Sequence, residues 1–89
     1  MNLRGLFMRK SKVFVFMYTV EDCPYCDKAK ALLKKHGYTN INTQSLNAYT
    51  PKSIIEEFKQ SCPGATTVPQ IFIDGEWIGT YDKLEQRLK

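Results

Sequence analysis

The amino-acid sequence contains no hydrophobic run long enough to span a membrane or to form the core of a secretory signal. Its basic beginning is followed by only three consecutive apolar residues, Leu6, Phe7 and Met8, whereas a signal core needs roughly seven to fifteen. No internal repeat or low-complexity tract is present either. We therefore expect a cytoplasmic protein that does not act at a membrane.

Acidic residues are missing from the first twelve positions, where four cations stand: Arg4, Arg9, Lys10 and Lys12. These cations account for the whole net charge of +4, because residues 13–89 carry equal numbers of basic and acidic side chains. The main part of the chain therefore has no net field to attract nucleic acid. We predict a flexible basic extension over residues 1–11. Since 89 residues cannot supply two hydrophobic cores, we predict one domain over residues 12–89.

The spacing of the apolar residues predicts seven elements in the order β-α-β-α-β-β-α. Strands are expected over residues 12–19, 38–45, 68–73 and 76–78, and helices over residues 25–36, 51–61 and 81–88. Thr50 before Pro51 predicts a side-chain cap on the second helix, and Asp74-Gly75 is typical of a type I′ hairpin turn. We predict an α/β fold in which three helices flank a four-stranded mixed sheet, with parallel pairing through the crossovers and antiparallel pairing in the hairpin.

The segment Cys23-Pro24-Tyr25-Cys26 follows the first predicted strand and opens the first predicted helix. The first turn of a helix has unpaired backbone N–H groups and the positive end of the dipole, and both favour a thiolate at Cys23. The two-residue spacer allows Cys26 to close a disulfide with Cys23. We therefore predict that Cys23 is the nucleophile and Cys26 its partner in a dithiol–disulfide cycle.

A zinc site is the structural alternative for the cysteines, because Cys23, Cys26, Cys62 and His36 together would make a Cys3His set. The predicted helix over residues 25–36 places His36 roughly 15 Å from Cys26, which is too far for two ligands of one metal ion. The odd number of cysteines also argues against a disulfide-stapled secreted scaffold. We therefore favour the redox pair and expect no metal ligands.

Pro69 opens a predicted strand although a proline cannot donate to a sheet ladder, and such a proline marks an edge, a bulge or a turn. With this feature the sequence resembles the glutaredoxins, within the thioredoxin-fold superfamily, across residues 12–89. Three motifs carry the resemblance in the family's order: Cys23-Pro24-Tyr25-Cys26, Thr67-Val68-Pro69 and Ile78-Gly79-Thr80-Tyr81-Asp82. The resemblance implies a thioredoxin-like fold and a cis peptide bond between Val68 and Pro69.

The resemblance also implies a binding site for glutathione, formed by six residues: Tyr25, Thr67, Val68, Pro69, Tyr81 and Asp82. The main chain of Val68 is expected to pair with the cysteinyl part of the tripeptide, as in the addition of a short strand. Tyr81 and Asp82 are expected to hold the γ-glutamyl end. N–H groups at a helix start suit its carboxylate, and an aspartate suits its ammonium group.

The function that the resemblance implies is glutathione-dependent reduction of protein disulfides and of glutathione mixed disulfides. It implies a monomer with no bound cofactor, with ribonucleotide reductase as one acceptor of electrons. A small thioredoxin reduced by a flavoprotein reductase is one alternative, although the usual thioredoxin sequence Trp-Cys-Gly-Pro-Cys is missing. An iron–sulfur or metal-binding module with Cys23 as a ligand is another. The proline and second cysteine of the motif make that ligation less favoured.

Two positions depart from the family's pattern. Val20 stands where glutaredoxins often have a lysine, so a cation for the glycyl carboxylate of glutathione is missing there. Thr80 stands where relatives often have the second of two glycines, and it adds a side chain near the γ-glutamyl group. Lys59 or Gln60, near the end of the second helix, is a candidate for the missing carboxylate contact.

Overall fold

The structure is a computed structural model that describes residues 9–89. Within this range the main elements are four strands and three α-helices: β1 (Val15–Thr19), α1 (Pro24–Lys35), β2 (Ile41–Ser45), α2 (Lys52–Ser61), β3 (Gln70–Ile73), β4 (Glu76–Gly79) and α3 (Tyr81–Arg87). The predicted order of elements is confirmed. None of the described helices combines the length and the apolar character that a membrane crossing requires.

The four strands form one mixed sheet in the order β2-β1-β3-β4. β1 runs parallel to β2 and antiparallel to β3, and β4 runs antiparallel to β3. The prediction of parallel pairing is therefore correct for the first crossover and wrong for the second, since β3 is antiparallel to its neighbour β1. The connections on either side of α2 are long enough to reach either end of a ten-residue helix, so helix spacing alone does not fix the direction of β3.

The hydrophobic core lies between one face of the sheet and the helices α1 and α3. Its fully buried members come from both layers: Val15, Met17, Cys26, Ala29, Leu33, Ile71 and Leu84. On the opposite face, the ring of Tyr18 packs edge-on against Phe58 of α2, with 5.0 Å between the ring centroids. β1 therefore carries apolar side chains toward both faces, as its near-continuous apolar sequence predicts.

The start of β1 differs from the prediction. Lys12, predicted as the first strand residue, instead ends a 3-10 turn over Arg9–Lys12, and β1 begins at Val15. The amide of Val13 donates to the carbonyl of Lys10. The ammonium group of Lys10 lies 5.5 Å from the centre of the Tyr38 ring. Of the predicted extension over residues 1–11, residues 9–11 belong to this turn, and residues 1–8 lie outside the described part of the chain.

The predicted cap on α2 is wrong, because Thr50 Oγ1 accepts a hydrogen bond from the amide of Asn47 in the preceding loop. Pro51 occupies the cap position and makes no side-chain hydrogen bond there. The hairpin prediction is confirmed: Asp74 and Gly75 both have positive φ angles, +52° and +81°, as a type I′ turn requires. The register of the hairpin then leaves one extra residue on β4, Ile78.

Candidate active site

The two neighbouring cysteines lie where β1 ends and α1 begins. Cys23 is the N-cap residue of α1, and its Sγ accepts a hydrogen bond from the amide of Cys26 at 3.1 Å. The two residues form a disulfide, with their Cα atoms 5.2 Å apart. Asp22 turns the chain into the helix with a φ of +55°, a conformation that aspartate tolerates better than most residues.

The two cysteines differ in their access to solvent. Cys26 is only 2% exposed and belongs to the hydrophobic core, whereas Cys23 is half-buried at the surface of the domain. An incoming disulfide therefore reaches the sulfur of Cys23 and not that of Cys26. This asymmetry agrees with the order of roles that the sequence predicts, in which Cys23 attacks and Cys26 resolves.

A groove of about 350 Å³ runs past the start of α1. Seven residues line it: Tyr25, Thr67, Val68, Pro69, Thr80, Tyr81 and Asp82. Six of the seven are the residues that the resemblance assigned to glutathione, and Thr80 is the seventh. The fold therefore brings together three motifs that are far apart in the sequence: the start of α1, the loop before β3 and the start of α3.

The loop before β3 presents its main chain to this groove. The peptide bond between Val68 and Pro69 is cis, as expected, and Pro69 is buried. Among the described residues, no hydrogen bond uses the N–H or the C=O group of Val68. Both groups are therefore available to a ligand that pairs with the main chain in an extended conformation.

Two aromatic side chains, those of Tyr25 and Tyr81, also line the groove. The rings of Tyr25 and Tyr81 lie 5.7 Å apart between centroids, in a tilted arrangement. The ammonium group of Lys28 lies 4.9 Å from the centre of the Tyr25 ring, within the range of a cation–π interaction. Tyr25 is 55% exposed, so these contacts steady a side chain that would otherwise be free to rotate.

The candidate contacts for a glycyl carboxylate are not part of the groove lining. Val20 is 39% exposed and brings no charge to the approach to Cys23. Lys59 and Gln60 are exposed at the end of α2, and neither lines the groove. Their assignment stays a prediction.

The four candidate zinc ligands lie in three separate parts of the structure, with Cys23 and Cys26 together at the start of α1. His36 is the C-cap residue of α1, and Cys62 is the buried C-cap residue of α2. Burial raises the pKa of the Cys62 thiol to about 11, so this thiol is protonated at neutral pH. Over residues 9–89, no group of three or more His, Cys, Asp or Glu side chains converges as a metal site would require.

Two residues beside the groove were missed by the reading of the sequence. Gln70 is a polar residue with only 3% of its surface exposed, and its side chain donates a hydrogen bond to the carbonyl of Thr67. Trp77 in β4 donates its indole N–H to the same Gln70 side chain. The sequence signal that could have identified them is Gln70 itself, a polar residue in the otherwise apolar strand Gln70–Ile73. A buried polar side chain requires a hydrogen-bond partner.

Comparison with known proteins gives a consistent result. The family model for glutaredoxin matches residues 15–78, which is most of the chain. The chain is 45% identical over 74 residues to glutaredoxin 3 of Escherichia coli (strain K12), a match that covers 79% of this chain and 80% of that protein.

Solved structures of glutaredoxins also resemble this one. Glutaredoxin 1 from Francisella tularensis, crystallised with cacodylate, has a TM-score of 0.66 and 30% identity, covering 84% of this chain and 91% of its own. A buckwheat glutaredoxin, solved as a glutathione complex, has a TM-score of 0.68 over 96% of this chain and 76% of its own. At 24% identity the buckwheat protein shows the shared fold alone. From the cysteine pair, the fold and these matches together, the chain belongs to the glutaredoxin family of thiol–disulfide oxidoreductases.

Proposed function

We propose that this protein is a dithiol glutaredoxin that uses glutathione to reduce protein disulfides and glutathione mixed disulfides. The observation that carries the proposal is the groove, which gathers Tyr25, the Val68 main chain, Tyr81 and Asp82 beside the cysteine pair. A general dithiol reductant needs the two thiols and no such groove. A groove with an unpaired main-chain segment and a carboxylate suits a short zwitterionic peptide.

In the first step the thiolate of Cys23 attacks one sulfur of the substrate disulfide. A new S–S bond forms to Cys23, the old S–S bond breaks, and the leaving sulfur departs as a thiolate that takes a proton from solvent. The position of Cys23 at the start of α1 favours the thiolate form, since the amide of Cys26 donates to its sulfur and the helix dipole is positive there.

When the substrate is a glutathionylated protein, the glutathione half is retained on Cys23. In that mixed disulfide the main chain of Val68 pairs with the cysteinyl residue of glutathione. The Asp82 carboxylate holds its ammonium group, and the Tyr25 ring lies against the peptide. A second glutathione molecule then attacks the glutathione sulfur, releases Cys23 and leaves as oxidised glutathione.

When the substrate is a protein disulfide, Cys26 completes the reaction. Its sulfur lies beside Cys23 in the first turn of α1, and the disulfide between them is the oxidised product. The burial of Cys26 keeps it from reacting with other thiols in solution. Two glutathione molecules then return the enzyme to the dithiol form. The first attacks the sulfur of Cys23 and forms a mixed disulfide with it, which frees Cys26. The second attacks the glutathione sulfur of that mixed disulfide and frees Cys23.

A coupled assay tests this proposal. The purified protein is given a small glutathione mixed disulfide, glutathione, glutathione reductase and NADPH, and NADPH consumption is followed. In a parallel reaction, thioredoxin reductase replaces glutathione and glutathione reductase. We expect turnover in the first reaction only, whereas turnover supported by thioredoxin reductase alone would contradict the proposal and favour the thioredoxin alternative.

Three finer points belong to the same proposal. Ribonucleotide reductase is one acceptor, which a reductase assay with this protein as the sole electron donor would test. The protein acts as a monomer, and sedimentation at micromolar concentration would show a species near its mass of 10.3 kDa. The reaction runs on a reducing glutathione pool of the kind that the cytosol maintains, since glutaredoxin potentials near about −200 to −230 mV match that pool.

A further inference from the structure

Gln70 lies in a chain of hydrogen bonds between the edge of the sheet and the groove. Its Nε2 donates to the carbonyl of Thr67 at 2.9 Å, and its Oε1 accepts from the indole Nε1 of Trp77 at 2.9 Å. We call this set the hydrogen-bond chain. Gln70 is 3% exposed, so water does not replace either partner without a local opening of the structure.

The sheet register explains why these residues meet. Trp77 on β4 lies opposite Phe72 on β3, so the side chains of both point to the same face. Gln70 is two residues before Phe72 and shares that face, which makes Gln70 and Trp77 diagonal neighbours across the two strands. The extra residue Ile78 lies between them in the register and increases the local twist.

The indole of Trp77, the amide of Gln70 and the carbonyl of Thr67 can form these hydrogen bonds in only one direction. An indole N–H only donates and a carbonyl only accepts, so the residue between them needs one acceptor and one donor. The Gln70 amide supplies both, and a glutamate would lack the donor. Trp77, the only tryptophan in the sequence, is thereby tied to the main chain of Thr67.

The Thr67 carbonyl also fixes the direction of the N–H group of Val68, a residue that lines the groove. It belongs to the same planar peptide unit as the N–H of Val68, and this bond is trans, since the cis bond of this segment is the following one. In a trans peptide the C=O and N–H groups point in opposite directions. A carbonyl held toward Gln70 therefore turns the Val68 N–H away from Gln70.

We propose that Gln70 and Trp77 are positioning residues that orient the Val68 N–H for its hydrogen bond to glutathione. The proposal rests on the proposed function, because it concerns the group that pairs with the cysteinyl residue of that ligand. Neither side chain touches the ligand in this scheme. Trp77 lines a separate groove of about 330 Å³, and Thr80 lines both grooves.

The test replaces the indole donor while keeping an aromatic ring. In Trp77→Phe we expect the KM for a glutathionylated peptide to rise about two- to tenfold, the range of a single neutral hydrogen bond, with kcat within about twofold of the wild type. Trp77→His, which restores a ring N–H, should recover part of the loss. Glu76→Gln is the matched control, because Glu76 is on the same strand but bonds to Arg87 instead.

Nuclear magnetic resonance of the 15N-labelled free protein supplies a second measurement that requires no substrate. The Val68 amide resonance should shift in Trp77→Phe and in Gln70→Glu, which keeps the acceptor for Trp77 but loses the donor to Thr67. The chemical shift of the Val68 amide should not change in Glu76→Gln. A wild type that lacks glutathione-dependent turnover would contradict the proposed function but leave this measurement valid. An unmoved Val68 resonance, or an unchanged KM in an active Trp77→Phe protein, would overturn the positioning role.

Discussion

Raising the pH above about 9 should destabilise this protein through Cys62. The thiol is 1% exposed at the end of α2, and burial raises its pKa from an ordinary value of 9.0 to about 11. In the unfolded chain the same thiol is in water and loses its proton near its ordinary value. Below about pH 8 nearly all of the thiol is protonated in both states, so this group adds little pH dependence there.

The size of the effect follows from the two pKa values. Between pH 9 and pH 11 the unfolded state binds fewer protons than the folded state, so the free energy of unfolding falls as the pH rises. Each pH unit in this window removes at most about 1.4 kcal/mol. The loss through Cys62 therefore reaches about 2 kcal/mol by pH 11 and levels off below about 3 kcal/mol at higher pH. That is a large part of the stability of a small domain.

Urea unfolding at pH 8, 9, 10 and 11 measures this loss in the wild type and in Cys62→Ala. The active-site disulfide is kept oxidised so that Cys23 and Cys26 do not titrate. Tyr18, whose pKa is raised mainly by burial and in part by the charge of the nearby Cys62 thiolate, is present in both proteins, so the difference between them reports Cys62 together with its effect on Tyr18. The alanine variant has a constant cost from its smaller side chain but a shallower pH dependence. A stability difference that stays the same from pH 8 to pH 11 would refute the reasoning.

Other predictions concern the active site. Cys26→Ser should keep deglutathionylation and lose reduction of protein disulfides, whereas Cys23→Ser should lose both; equal loss in the two variants, measured in parallel assays, would contradict the assigned roles. Val20→Lys should lower the KM for a glutathionylated substrate about two- to fivefold by adding a cation near the glycyl carboxylate, and the gain should shrink as salt is added. Thr80→Gly should also lower this KM, because Thr80 lines the groove and makes no side-chain cap bond to α3. An unchanged KM in a folded Thr80→Gly protein would mean that Thr80 does not crowd the ligand.

Much of the architecture could be predicted because it depends on local sequence. Alternation and helical spacing identified the seven elements, and the hairpin turn followed from the positive φ angles that Asp74-Gly75 accommodates. The direction of β3 depends instead on how the loops around α2 run, which helical spacing does not encode. The Thr50 cap failed because the hydroxyl had a competing donor nearby, the amide of Asn47.

The candidate site also combines features encoded in short segments with features that depend on contacts between strands. Its groove residues were predicted because three short motifs carry them, and the three motifs together, in the family's order, are specific. Gln70 and Trp77 were missed because their hydrogen bond depends on the register between β3 and β4 and on the extra residue Ile78. Such a pairing exists only once two strands have met, so a reading of each segment in isolation does not reveal it.

The cysteine pair and the groove residues of α3 are synthesised at different times. Both cysteines of the pair lie in the first third of the chain, whereas Tyr81 and Asp82 belong to α3. A ribosome therefore delivers the two cysteines well before the residues proposed to bind glutathione. Until α3 has been made and has docked, the nascent chain would have the two thiols without the proposed glutathione groove.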